Sequence, residues 1–205
     1  MWALVEDGSI TKIINKPRGM IIDNIQYSRN IFSFRWSNEE REAIGLYEVV
    51  INNTKKKDEE YYTNTDQTFT YDADAGTVTA TYGDATAKAH ADTLFTSDDE
   101  DNGLGTEGEV KVKGLKTLKI ENIKLQAASE LARTDWYIVR KADADTSVPS
   151  AITTHRAAVR TKCAQMETAV TNAADTPALE TLYTYTKQEG GSITRPLGEL
   201  PRLEV

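Results

Sequence analysis

The sequence predicts an α+β fold, in which a β-rich N-terminal module is followed by helices. In the first half, short apolar runs flank turn-forming pairs, which is typical of β-hairpins. In the second half, apolar residues recur every three or four positions, which is typical of amphipathic helices. The predicted organisation is a β-rich module over 1–95, an acidic glycine-rich linker over 96–114, a helical module over 115–187 and an extended tail over 188–205.

The N-terminal module is predicted to open with a β-hairpin. Residues 2–5 and 10–14 are short apolar strands, and Asp7-Gly8 between them is a typical two-residue hairpin turn. Residues 20–36 continue with β-branched and aromatic residues, interrupted at Asp23-Asn24. This composition predicts further strands before the first helix.

One short helix and a second hairpin complete the module. Ser37 begins a capping box, and Gly45 is placed to end the helix that follows. Residues 46–51 are predicted to form a strand. Polar and apolar residues alternate around Asp74-Ala75-Gly76 within 68–82, which predicts a hairpin with one exposed face.

Two long helices are predicted in the second half. Apolar residues near helical spacing predict one over 115–132 and another over 150–172. Between them, Tyr137-Ile138-Val139 is predicted to be extended, as a strand would be. A last short helix is predicted over 177–186, with Thr176-Pro177 as its N-cap and first-turn proline.

The charge balance excludes several classes of partner. The net charge is −8 and the isoelectric point is near 4.9, whereas phosphate binding is driven by clustered lysine and arginine. No stretch approaches the ~20 apolar residues of a membrane-spanning helix, and the acidic start does not resemble a signal peptide. We therefore expect neither nucleic acid binding nor a membrane span.

Residues suited to catalysis are scarce. The two histidines, His90 and His155, have no metal-ligand spacing and no nucleophile motif beside them, so they are interpreted as surface or interface residues. Cys163 lies in a helical stretch and is interpreted as a buried structural thiol. The sequence shows no phosphate-binding loop with its lysine. These observations predict a protein that is not an enzyme and that has no cofactor.

One acidic stretch, 98–109, resembles a calcium-binding EF-hand loop. A glutamate at the third position and a glycine at the eighth depart from that pattern. A flexible acidic linker is the preferred interpretation, and a calcium-dependent interaction module is the alternative. The residues at loop positions one, three, five, six and twelve are Asp98, Glu100, Asn102, Gly103 and Glu109.

The stretches "LARTDWYIVRKAD" and "VPSAITTHRAAVRTKC" resemble the C-terminal region of tail fibre assembly proteins of tailed bacteriophages and of related phage tail assembly chaperones. In that family a helix ends in a Thr-Asp-Trp element, followed by an extended piece, a proline and a helix with paired arginines. The "WALVEDGSITKII" and "TVTATY" stretches are similar to the family's β-region. The matching positions are Thr134, Asp135, Trp136, Pro149, His155, Arg156, Val159 and Arg160.

These motif positions are expected to be mainly structural. Trp136 is expected to close the helix pair by packing on an apolar stripe formed by Ile152, Val159 and Cys163. Asp135 can cap a turn or pair with an arginine of the next helix. The motif therefore indicates the fold, and function is expected on surfaces.

Two surfaces are predicted to bind a partner. The tail has four apolar residues and no evident hydrogen-bond ladder of its own, so it is expected to bury them against another protein. They are Leu197, Leu200, Leu203 and Val205. The second surface is a row of small residues on the 150–172 helix, although packing inside the module explains such a row equally well. The row consists of Ala157, Thr161, Ala164, Thr168 and Thr171.

The resemblance implies a non-enzymatic phage tail protein. It would associate with tail fibres, and either assist their assembly or stay on the virion as a structural component. The expected partners are the tail fibre or neighbouring tail proteins, and self-association is left open. The expected location is the host cytoplasm during assembly, or the virion tail if the protein is retained.

Overall fold

Asp7 and Gly8 form the first turn because both adopt the left-handed backbone conformation, with φ of 48° and 74°. The turn joins strands β1 (Trp2–Glu6) and β2 (Ser9–Ile14), as the sequence predicted. This computed structural model describes residues 1–203, and the chain divides into two units, 1–86 and 87–205.

The first unit is built on a five-stranded sheet with the order β2-β1-β5-β8-β7. The other three strands of this sheet are β5 (Leu46–Asn52), β7 (Gln67–Asp72) and β8 (Thr77–Tyr82). Strands β7 and β8 form the predicted second hairpin, and β5 runs parallel to β8. The remaining short strands are β3 (Met20–Ile22), β4 (Ile25–Tyr27), β6 (Tyr62–Thr63) and β9 (Thr86–Ala87), which spans the division between the units.

Apolar residues are buried on both faces of this sheet, because β1 alternates Leu4 on one face with Ala3 and Val5 on the other. Leu4 packs in a cluster with residues of β3 and a 3₁₀ helix, Arg29–Phe32. This 3₁₀ helix stands where the sequence predicted a continuing strand. The second cluster includes Val49, Val78 and Ala80.

The helix α1 (Asn38–Glu42) confirms the predicted capping box. Ser37 accepts a hydrogen bond from the Glu40 N–H, and the Glu40 carboxylate accepts one from the Ser37 N–H. Gly45 follows with a φ of 75°, and a Cβ there would lie 2.4 Å from the carbonyl oxygen of Val5. Glycine is therefore required at the junction with β5.

The second unit is mainly helical. The two long predicted helices are confirmed at the predicted bounds, as α3 (Leu115–Ala132) and α5 (Ser150–Asn172), and they pack on each other. The other helices are α2 (Ser97–Asp101), α4 (Asp135–Ala144) and α6 (Thr176–Tyr183). The strands are β10 (Thr93–Leu94), β11 (Val110–Val112), β12 (Thr186–Lys187) and β13 (Ile193–Thr194).

The predicted linker over 96–114 is folded, and the division between the units falls earlier, after Thr86. Within 96–114, α2 and β11 have regular structure, and β11 pairs with β10. Thr96 caps α2 through a reciprocal hydrogen-bond pair with Asp99. The acidic, glycine-rich composition therefore correctly indicated that this segment is exposed. It wrongly indicated that the segment is a flexible linker without regular structure.

Two further element predictions were wrong in detail. Tyr137-Ile138-Val139 lies within helix α4, where Asp135 in the first turn favours a helix start through the helix dipole. The N-cap of α6 is Asp175, whose side chain accepts a hydrogen bond from the Ala178 N–H, and Thr176 is the first helical residue. That helix ends at Tyr183, three residues earlier than predicted.

No helix among residues 1–203 is long and apolar enough to cross a membrane.

Candidate functional site

The motif residues meet where α3 ends and α4 begins. Thr134 is buried, and both its backbone N–H and its hydroxyl donate to the carbonyl oxygen of Leu131, each at 3.0 Å. Arg156 reaches this point from α5, and its Nη1 atom lies 2.7 Å from the same carbonyl oxygen and from Thr134 Oγ1. A guanidinium beside the last carbonyls of α3 also favours that helix end electrostatically.

Asp135 completes this motif cluster. Its Oδ1 atom lies 2.8 Å from Arg156 Nη1, so of the two roles predicted for Asp135, capping a turn or pairing with an arginine, the structure shows the pairing. The arginine is buried, whereas the carboxylate is more than half exposed. These groups are called here the motif cluster, which consists of the Leu131 carbonyl, Thr134, Asp135 and Arg156. The cluster fixes the turn between α3 and α4 to helix α5.

Trp136 does not close the helix pair, contrary to the sequence prediction. Its side chain is 51% exposed, and helix α4 has no buried residue at all. The indole stacks with Tyr137 at a ring-centroid distance of 3.7 Å, and the guanidinium of Arg140 lies 4.8 Å from the indole centroid. The buried residues at this point are Thr134 and Arg156, and the indole, two residues after Thr134, faces solvent.

The exposed surface of α4 is rich in apolar atoms. Ile138 and Val139 are exposed beside Trp136, and Arg140 stacks on Tyr137 at 5.4 Å. Tryptophan, tyrosine and arginine are the residue types that contribute most binding energy at protein interfaces. This helix surface can therefore bind another protein.

Of the four remaining motif positions, His155 and Val159 are buried, whereas Pro149 and Arg160 lie at the surface of α5. Pro149 is the N-cap residue of this helix and Arg160 is exposed on it. The predicted small-residue row is exposed as well, so it does not pack inside the unit. Its members are Ala157, Thr161, Ala164, Thr168 and Thr171.

The tail is not an extended segment without structure, contrary to the sequence prediction. Strands β12 and β13 form a small hairpin, and Leu197 is only 2% exposed. The Leu197 N–H donates to the Leu182 carbonyl at 3.0 Å, and Arg195 stacks over Tyr183 and Tyr185. Leu197 therefore belongs to the core of its own unit and is not available to a partner.

Leu200 and Leu203 remain half-buried, and each lines a cavity. Leu200 lines one of about 640 Å³ with residues at the end of α3, and Leu203 lines one of about 470 Å³ with the first turns of α5. Tyr185 at the first cavity donates a hydrogen bond to Glu199, which raises the pKa of the tyrosine. The predicted tail residue Val205 lies outside the described residues.

His155, interpreted from the sequence as a surface or interface residue, is buried within its own unit and is not a surface residue. It lines the 470 Å³ cavity, and its Nε2 atom has no hydrogen-bond partner among the described residues. His90 donates one hydrogen bond from its Nε2 to the Ala173 carbonyl oxygen, at 2.9 Å. Neither histidine ring forms a hydrogen bond with a serine, threonine or cysteine side chain among the described residues. Within residues 1–203, no group of three or more His, Cys, Asp or Glu could hold a metal ion.

Cys163 is half-buried on α5 and donates to Glu167 Oε1 at 3.2 Å. Burial and this hydrogen bond raise the pKa of the thiol, so the reactive thiolate is disfavoured. The sequence predicted a buried thiol, whereas the structure shows a half-buried one.

The calcium-loop residues do not adopt a single open loop. Asp98 and Glu100 lie within α2, and Asn102 ends that helix with its side-chain amide bonded to the Asp98 carbonyl. Glu109 lies just before β11, where its backbone carbonyl accepts from the Phe95 N–H. The helix thus occupies the positions at which an EF-hand loop would wrap its ion.

None of the family models, curated proteins or solved structures compared with this chain matches it. The phage tail resemblance therefore stays a prediction from the residues of the motif.

Proposed function

We propose that this chain is a non-enzymatic bacteriophage tail protein that binds tail fibre or neighbouring tail proteins. It would act during fibre or tail assembly, or remain on the virion as a structural component. The helical unit contains the partner surface, and exposed helix α4 is its centre.

One observation carries the proposal. Thr134 and Arg156 of the phage-type motif are buried and hydrogen-bonded to each other, and the more exposed Asp135 pairs with the same arginine, while Trp136 of the same motif is left exposed. A helix without any buried residue contributes little to its own unit's core, so apolar and aromatic residues on it need another explanation. Protein binding supplies one, because burying a tryptophan and its apolar neighbours is strongly favourable.

The test is co-expression of the chain with its cognate tail fibre, followed by affinity purification. We expect the Trp136→Ala variant to recover about tenfold less fibre, while its melting temperature changes little because the ring is half-exposed. Leu125→Ala is the matched control, since Leu125 is an exposed apolar residue on α3. Equal recovery with both variants would remove α4 from the interface, and no fibre recovered with the unaltered chain would overturn the proposal.

Mass spectrometry of purified virions separates the two modes of action. A retained structural component is expected at a fixed copy number per particle. An assembly factor is expected in infected cells, bound to fibre, and absent from the particle.

A further inference from the structure

Residues 92–114, called here the insertion hairpin, form a small structure held by its own hydrogen bonds and by contacts to the half-buried ring of Phe95. The Phe95 N–H donates to the Glu109 carbonyl at 2.9 Å, and the Gly108 N–H donates to the Phe95 carbonyl at 3.0 Å. A Cβ at Gly105 would lie 2.6 Å from the Phe95 ring, so glycine lets the backbone cover the ring. Lys111 lies over the same ring at 5.6 Å from its centroid.

The base of the insertion hairpin is fixed to the start of α3. The carboxylate of Asp92 accepts hydrogen bonds from the Gly114 N–H at 2.6 Å and from the Thr117 hydroxyl at 2.9 Å. At the other end, Lys111 pairs with Asp99 at 2.6 Å. The hairpin is therefore held in one conformation before any partner binds, which lowers the entropy cost of binding.

This fixed hairpin presents apolar side chains to solvent. Leu94 lies opposite Val110 across the strand pair, and opposed residues point to the same face. Their exposed fractions are 46% each, and that of Val112 is 58%. Leu104, in the turn between α2 and β11, is also exposed. An apolar patch on a rigid strand pair is typical of a binding surface.

Acidic residues are concentrated in the same small structure as this apolar patch. Besides Asp99, five acidic residues lie within α2 or between α2 and β11, and all five are exposed. Within the part of the chain that the structure describes, no lysine or arginine pairs with any of them. They are Asp98, Glu100, Asp101, Glu107 and Glu109.

We propose that the insertion hairpin is a docking element for a protein surface that presents an apolar patch bordered by lysine and arginine. Electrostatic complementarity argues for this occupant, because carboxylates without an ion-pair partner, in the same small structure as exposed apolar residues, attract lysine and arginine. A second copy of the chain does not fit, since its net charge is −8 and the same acidic residues would face each other. The inference is independent of whether the partner is a tail fibre.

The test uses the full chain and a labelled amphipathic helical peptide of leucine and lysine, with a leucine–glutamate peptide for comparison. Binding is followed by fluorescence anisotropy. We expect binding of the lysine peptide that weakens as salt rises, and no measurable binding of the glutamate peptide. Two variants of the hairpin are expected to bind the lysine peptide about tenfold more weakly. One is the double variant Leu94→Ser, Val110→Ser, and the other is the triple variant Asp98→Asn, Asp101→Asn, Glu107→Gln.

Matched controls separate docking from attraction to an acidic protein in general. One control is the triple variant Asp23→Asn, Asp66→Asn, Asp74→Asn, which removes three negative charges from exposed sites in the first unit. The other control is Ile193→Ser, which removes an exposed apolar residue outside the hairpin. Both controls are expected to bind as the unaltered chain does. Equal weakening by controls and hairpin variants would overturn the proposal, and so would a dimer in sedimentation velocity that the hairpin variants abolish. If the serine variant unfolds, the charge variant alone decides.

Discussion

Arg156 joins three parts of the helical unit through a single nitrogen atom. Its Nη1 contacts the Leu131 carbonyl at the end of α3, the Thr134 hydroxyl in the turn and the Asp135 carboxylate at the start of α4. The three acceptors lie within five residues of each other, whereas the arginine is more than twenty residues further along the chain. One buried side chain therefore sets the geometry of the exposed helix that we assign to partner binding.

Replacing Arg156 with methionine is expected to cost about 2–3 kcal/mol of unfolding free energy, because the acceptors lose a charged donor inside the unit. Asp135→Asn is expected to cost less than about 1 kcal/mol, since that carboxylate is half-exposed and its ion pair is screened by water. Urea denaturation of both variants measures the difference. Equal, small effects would show that the motif cluster does not hold the turn.

Among the elements, the tail was predicted to bind a partner, but the structure shows that part of it belongs to the core of its own unit. Leu197 is fully enclosed, and its backbone N–H extends the hydrogen bonding at the end of α6. Leu200 and Leu203, only a few residues away, line open cavities instead. Leu197 thus attaches the tail to its own unit, whereas Leu200 and Leu203 remain partly accessible to a partner.

The two positions are expected to respond differently to truncation. Leu197→Ala is expected to cost about 2–5 kcal/mol because it removes a buried side chain and leaves a cavity. Leu200→Ala is expected to cost about 1 kcal/mol or less because its side chain is half-exposed. Midpoints of urea unfolding compare them. A small effect at both positions would restore the view that the tail belongs to a partner.

The start of α3 is expected to respond to acid through Asp92. Hydrogen bonds from the Gly114 N–H and the Thr117 hydroxyl lower the pKa of this carboxyl from its ordinary value of 3.8. A group with a lowered folded pKa stabilises the fold above its unfolded pKa, and this contribution is lost as pH falls through the folded value. The insertion hairpin should therefore loosen below pH 3.8.

Thermal melts of the unaltered chain and of Asp92→Asn test this expectation. The variant is expected to melt at a lower temperature at neutral pH, and the gap is expected to narrow as pH falls below 3.8. Asp143→Asn, at an exposed site on α4, is the control and is expected to show little difference at any pH. A gap that stays constant for Asp92→Asn would mean that its carboxylate is not the titrating group.

Local signals explain which elements the sequence predicted well. The Asp7-Gly8 turn, the Ser37 capping box and the bounds of α3 and α5 each depend on residues within a few positions of one another. The burial of Leu197 was missed because it depends on a distant contact, since its N–H donates to the carbonyl of Leu182 at the end of α6. The Asp135–Arg156 pair is a long-range contact that was one of the two roles predicted for Asp135.

The whole molecule consists of two units, each with buried apolar residues of its own. In the first, the sheet separates two apolar clusters, one containing Leu4 and Leu46 and the other Val49 and Val78. The second has a helical core with Leu197 as one of its members. A unit with its own core is able to fold alone, although a unit of this size has a limited margin of stability.

We therefore expect residues 1–87, which keep β9 whole, and residues 87–205 to fold as separate fragments. Each fragment should show a cooperative thermal transition by circular dichroism, and the spectrum of 87–205 should be the more helical because α3 and α5 both lie in it. The second fragment should also retain the binding assigned to α4 and to the insertion hairpin, since both lie entirely within it. A fragment that melts without cooperativity would show that its core is completed by the other unit. A folded 87–205 that fails to bind would move the partner surface to the β-rich unit, where Phe34, an almost fully exposed aromatic residue, would be the first position to substitute.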